Sequence, residues 1–177
     1  DDQSKGIMPL LASRVAARTG RPVAWRTVGR LGATARRVRY RMIGDIDDKP
    51  DVLIVCVGSN DMLAGRSVRE WAADIAPVLD AAKARAGKVV LFSSGQPHRS
   101  PVLPGALRRD IERRINAQTA TSRRLCEARG VSFLDLTHTD QVDPSRFWAV
   151  DGFHPGTFGY VVMADAIMRL LFDGARE

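Results

Sequence analysis

Helix-period and strand-type stretches alternate along the chain, joined by short connections. From Met8 to Thr19, Leu11, Val15 and several alanines share one helical face, and Gly20 supplies the stop. Val23–Val28 reads as a short strand, Gly29-Arg30-Leu31-Gly32 as a turn, and Thr34 to Ile43 as a helix. Asp51–Val57 is a continuous apolar run, the pattern of a strand buried on both faces of a parallel sheet. Ser67 and Glu70 have the spacing of a capping box at the head of a helix that runs to about Ala86, with a kink predicted at Pro77 and a stop at Gly87. Lys88–Ser93 is the next strand. A loop with Pro97, Pro101 and Pro104 follows and is long enough to carry function. Arg108–Arg129 reads as a basic helix, Val131–Leu136 as a strand, Thr137–His154 as a loop and Thr157–Phe172 as the closing helix. This order predicts a three-layer α/β/α sandwich with a doubly wound, mainly parallel sheet, flavodoxin-like in architecture, whose ligands bind outside the carboxyl ends of the strands.

The length of 177 residues suits one domain, residues 1–177, and 45% hydrophobic residues are enough to bury a core. No apolar stretch is long enough to span a bilayer. A cytoplasmic setting is the leaning expectation, with a signal peptide left open. The net charge is +7, and 23 of the 27 basic residues are Arg. Ten of them lie between Gln3 and Gly44, a stretch without Asp or Glu. That basic face allows peripheral contact with anionic surfaces. No nucleic-acid-binding signature accompanies it, so no nucleic acid is expected. Cys56 and Cys126 fall in apolar or helical patterns and are expected to be buried, reduced thiols.

Three segments lie where such a sheet places a site. Gly58-Ser59-Asn60-Asp61 follows the most apolar strand; it is either a plain turn or a place where an Asn amide can donate to a developing oxyanion. Asp151-Gly152-Phe153-His154-Pro155 precedes the last helix, and an Asp there can fix the tautomer of the imidazole and stabilise its protonated form. Gly32 can bring a backbone N–H close to an oxyanion, or simply close a turn. His98, His138 and His154 lack metal-ligand spacing, so no metal and no cofactor are expected.

Taken together, Gly32, then Gly58-Ser59-Asn60-Asp61, then Asp151-Gly152-Phe153-His154 resemble the blocks of the SGNH hydrolases, the GDSL-type esterases and lipases, in that family's order. The resemblance extends over nearly the whole chain and includes the loop ending in Leu103-Pro104-Gly105-Ala106-Leu107-Arg108. It implies a serine hydrolase of carboxylic esters acting through an acyl-enzyme, with a small-molecule substrate such as an acyl ester or an acetylated sugar. It also implies His154 as general base, Asp151 as its orienting partner, and the Gly32 N–H and Asn60 amide as the oxyanion hole. His98 and Phe153 are substrate-lining candidates. Phe147 and Trp148 either wall an acyl pocket or plug the core.

The family's Gly-Asp-Ser block, which supplies the nucleophile at the end of a central strand, is not found in these residues. Ser4, Ser59, Ser93 and Ser94 are weaker surrogates. The expectation is a first strand with its serine a short distance upstream of Asp1. Two alternatives remain open: an inactive SGNH-like binding domain, and a module that binds nucleic acid or anionic lipid through the basic face.

Overall fold

The computed structural model describes residues 6–47, 49–139 and 143–174. In chain order its elements are α1 (Ile7–Thr19), α2 (Ala35–Arg41), β1 (Val52–Val55), α3 (Ser59–Leu63), α4 (Val68–Lys83), β2 (Lys88–Phe92), α5 (Gly105–Glu127), β3 (Ser132–Leu134), α6 (Pro144–Phe147) and α7 (Thr157–Phe172). They form two compact units. The sheet unit comprises Val28–Arg99 and Leu103–Thr139; the helical unit comprises Ser100–Val102 and the described parts of Asp1–Thr27 and Asp140–Glu177.

The sheet unit is α/β, as the alternation predicts. Its strands run parallel in the order β1-β2-β3, with Val52 opposite Lys88 and Val90 opposite Ser132. Parallel neighbours need long crossovers, and α3 with α4, then α5, supply them. Helix α4 starts where the capping box predicts: Glu70 N–H donates to Ser67 Oγ at 3.2 Å, and Ser67 N–H donates to the Glu70 carboxylate at 2.9 Å. From there Trp71, Ile75, Val78, Leu79 and Ala82 form one buried stripe. That stripe belongs to a single core with Val55, Val89, Leu91, Cys126 and Val131.

Pro77 lies inside α4, which continues past it to Lys83. Proline has no N–H to offer the carbonyl four residues back, which is that of Ala73. Arg39 of α2 fills the vacancy by donating to the Ala73 oxygen at 3.2 Å and to Asp74 at 3.3 Å. The turn of helix before Pro77, where a kink is expected, is thus a docking point for a neighbouring helix.

In the helical unit, α1 and α7 pack through Leu11, Ala12, Ala164 and Ile167, all buried. Arg14 pairs with Asp165 and donates to the Val161 carbonyl. No helix among the described residues is long and apolar enough to cross a membrane.

Two expectations fail for want of a partner strand among the described residues. Val23–Val28 forms no strand; it lies open, with Trp25 43% exposed, because no described segment offers it a backbone ladder. The Asp51–Val57 run is not buried on both faces: the sheet ends at β1, Val52 is 36% exposed, and Cys56 is exposed while Cys126 is buried. The apolar character of β1 is that of an inner strand, yet one of its edges carries no partner among the described residues.

The core stripe of α4 sets a stability expectation. Leu79→Ala removes a fully buried side chain from the centre of the cluster and should lower unfolding free energy by about 2–5 kcal/mol. Urea titration followed by circular dichroism measures it.

Candidate active site

The Gly58 turn at the end of β1 can be made only by glycine. Its φ is 132°, and an added Cβ would lie 2.5 Å from Ser94 Oγ, 3.1 Å from Trp71 and 3.2 Å from Gln118 Nε2. Gln118 Nε2 donates to the Gly58 carbonyl at 3.1 Å, and Ser94 Oγ donates to Gln118 Oε1 at 2.7 Å. Below them Trp71 Nε1 donates to Ser122 Oγ, which in turn donates to the Gln118 carbonyl. The segment expected as a turn or an oxyanion donor therefore opens a short helix, α3, seated on a satisfied polar network.

From this seat two adjacent side chains reach the Gly32 turn and the start of α2. Asn60 Nδ2 donates to the Ala33 carbonyl at 3.0 Å, one residue beyond Gly32. Asp61, 1% exposed, accepts from the Ala35 N–H at 2.8 Å and faces Arg66, which also pairs with Asp74. Burial pushes the Asp61 carboxyl above its ordinary pKa, against the Ala35 N–H and Arg66, which favour the ionised form. Gly32 has φ of 69° with open space around it, and among the described residues its N–H has no acceptor. Asn60 and the Gly32 turn are thus brought together, with one Asn60 amide hydrogen tied and the other available.

In the helical unit, the loop from Trp148 to Pro155 is closed by an antiparallel bridge between those two residues and by Ala149 N–H donating to the His154 carbonyl at 2.7 Å. Gly152 makes the reversal, with φ of 67° and a virtual Cβ 2.6 Å from Val102 Cγ1, while Ser100 Oγ donates to its carbonyl. Asp151 is held by three donors: the Phe153 and His154 N–H groups at 2.9 and 3.0 Å on Oδ1, and His154 Nδ1 at 2.6 Å from Oδ2. Those contacts, the Phe153 N–H first, lower the Asp151 pKa from 3.8 to about 2. His154 Nε2 has no partner among the described residues. Phe153 stands edge-on to the His154 ring, 5.5 Å between centroids. Phe147 and Trp148 pack edge to face, and Phe147 closes on Gly159 of α7, where a Cβ would meet its carbonyl at 2.7 Å.

A second Asp-x-x-His occurs at Asp135 and His138, with the same backbone bonds and an Oδ2 to Nδ1 distance of 2.8 Å. Here, however, Nε2 faces Asn116 Oδ1 at 3.1 Å and Arg123 shares Asp135, so this imidazole is occupied at both nitrogens. His98 sits half-buried in the turn Pro97–Arg99 against α5; its Nδ1 is buried without a partner, and burial lowers its pKa. Among the described residues no three His, Cys, Asp or Glu side chains converge to hold a metal ion.

The surrogate nucleophiles are committed elsewhere. Ser93 Oγ accepts from Leu136 N–H and Thr137 Oγ1, Ser94 binds Gln118, and Ser59 leans on the Ser94 carbonyl. Ser4 lies outside the described residues. Gln118 was not anticipated; its signal is a polar residue in the buried stripe of Ile111, Ile115, Thr119 and Ser122 on α5.

A family profile described as GDSL-like lipase/acylhydrolase matches residues 1–162. No curated protein sequence matches the chain. Among solved structures, a catalytic mutant of an acetylxylan esterase from Geobacillus stearothermophilus is similar at 17% identity and TM-score 0.75, covering 94% of this chain and 81% of that one. The psychrotrophic esterase EstA from Pseudoalteromonas sp. is similar at 16% identity and TM-score 0.75, with 99% and 91% covered. TesA is similar at 18% identity and TM-score 0.73, with 98% and 91% covered.

Because Asp151 is depressed, its contacts contribute stability fully above its ordinary pKa and lose it as pH falls through about 2. Carboxyl-carbon NMR should give a midpoint near 2. In His154→Ala the midpoint should rise yet stay below the ordinary value, since the Phe153 N–H remains. Gly58→Ala should disrupt the turn and shift the thermal unfolding midpoint down by several degrees or more, read by calorimetry.

Proposed function

Since the chain belongs to the GDSL-like lipase/acylhydrolase family, we propose that it hydrolyses carboxylic esters through a serine acyl-enzyme, with residues 1–177 belonging to one catalytic domain. The observation that carries the reading is the Asn60 amide bound to the Ala33 carbonyl, which orients its second hydrogen beside the turn bearing the free Gly32 N–H. Two preorganised donors on a developing oxyanion lower the barrier to a tetrahedral intermediate. His154, with Nδ1–H donated to Asp151, keeps the Nε2 lone pair to take the serine proton as the oxygen attacks the acyl carbon. The imidazolium returns that proton to the leaving alkoxide, and the same base activates water to cleave the acyl-enzyme. Asp151, ionised at all working pH values, stabilises the positive ring. His98 and Phe153 are assigned to the substrate side, where acyl esters or acetylated sugars would bind.

The serine nucleophile is assigned outside Ser59, Ser93 and Ser94, to a strand that would pair with the edge of β1 to which no described segment is paired. Two observations support this: the inner-strand character of that edge, and the engagement of Ser59, Ser93 and Ser94 in structural hydrogen bonds.

Fluorophosphonate labelling tests the assignment. The labelled serine, mapped by peptide mass spectrometry, should be none of Ser59, Ser93 and Ser94, and labelling of any of these would overturn the assignment. In the labelling chain, Asn60→Ala should reduce kcat on p-nitrophenyl acetate by about 10²–10³-fold. An unchanged kcat removes Asn60 from the oxyanion hole.

A further inference from the structure

The arginine-rich stretch takes a defined form on α2. Arg36, Arg37, Tyr40 and Arg41 are exposed around a shallow depression that Thr34 completes. Arg39, by contrast, is consumed internally by Asp74 and the Ala73 carbonyl. Among the described residues none of Arg36, Arg37 and Arg41 pairs with a carboxylate, and no Asp or Glu occurs between Gln3 and Gly44 to provide one nearby in sequence. On the turn just before the helix, Leu31 is 99% exposed, and Tyr40 is 60% exposed. A bare aliphatic side chain, an amphipathic aromatic ring and three guanidinium groups outside any ion pair therefore share the segment 30–41, with Glu70 near enough to Arg36 to feel its charge.

We propose that this segment docks the protein on an anionic phospholipid surface. The guanidinium groups would take headgroup phosphates in forked hydrogen bonds, Tyr40 would sit at the headgroup level, and Leu31 would enter the acyl boundary. A phosphate polymer would satisfy the arginines but offers no apolar phase for Leu31, and a seven-residue helix has little length to follow a groove. The docking stands apart from the catalytic reading.

Sedimentation of the full chain with phosphatidylcholine vesicles, with and without phosphatidylglycerol, tests the docking without reference to activity. Binding should require phosphatidylglycerol and weaken with salt. The triple variant R36Q/R37Q/R41Q should lose about fivefold per guanidinium, on the order of a hundredfold together. The corresponding triple Lys variant should retain most of the binding, which separates loss of charge from loss of fold. Leu31→Ser should weaken binding about tenfold while leaving the salt dependence in place. Equal binding to both vesicle types, or a glutamine triple that binds like the parent, overturns the proposal. So does displacement by inorganic phosphate beyond that caused by sodium chloride at equal ionic strength, or tighter binding to duplex DNA than to vesicles with Leu31→Ser silent.

Discussion

At the end of β1 the chain must pass between Ser94, Trp71 and Gln118 with a backbone angle that side chains resist, and the consequences of that passage reach much of the sheet unit. Glycine makes the passage, and the Gln118 amide holds its carbonyl. The two residues that follow shortly after, Asn60 and Asp61, then point toward the Gly32 turn and the first N–H of α2. One acceptor and one donor, neighbours in sequence, thereby locate a helix that is separate from them in the chain. Arg66 closes the arrangement by balancing Asp61 against Asp74 on α4, so that sheet edge, turn and two helices share one buried electrostatic centre. A buried carboxylate in such a place is tolerable only while every partner is present.

How far the sequence discloses this depends on the range of the interactions involved. The capping box at Ser67 and Glu70 is local, and α4 begins where it says. The closing helix Thr157–Phe172 is likewise legible from its periodicity and the glycine before it. Val23–Val28 has the composition of a strand, but strand formation needs a partner ladder that composition does not contain. The exposure of Cys56 has the same origin: an apolar run announces burial without saying what buries it. At the site, Gly58, Asn60, Asp151 and His154 stand out by motif. Gln118 and Ser94, which hold the motif in place, belong to a helix and a strand end distant in sequence and become visible only in the fold.

The two Asp-x-x-His segments show why a motif needs its surroundings. Both fold into the same local loop, with the carboxylate gripping two backbone N–H groups and Nδ1. They diverge at the far nitrogen, where His138 meets Asn116 and His154 meets no described residue. The first is a clasp between a strand end and α5; the second leaves Nε2 without a partner among the described residues. Spacing explains the shared loop, and a residue twenty-two positions away decides what the imidazole can do.

Pro77 carries a wider implication. A proline inside a helix is usually counted as a defect, yet here the carbonyl it liberates is the acceptor that Arg39 reaches. The identity of one residue on α4 is thereby coupled to that of another on α2 with no direct bond between them. An alanine at 77 would give the carbonyl a second donor within its own helix and weaken its need for Arg39. Across the descendants of a common ancestor, positions 39 and 77 should therefore covary, an evolutionary trace written by a missing hydrogen atom.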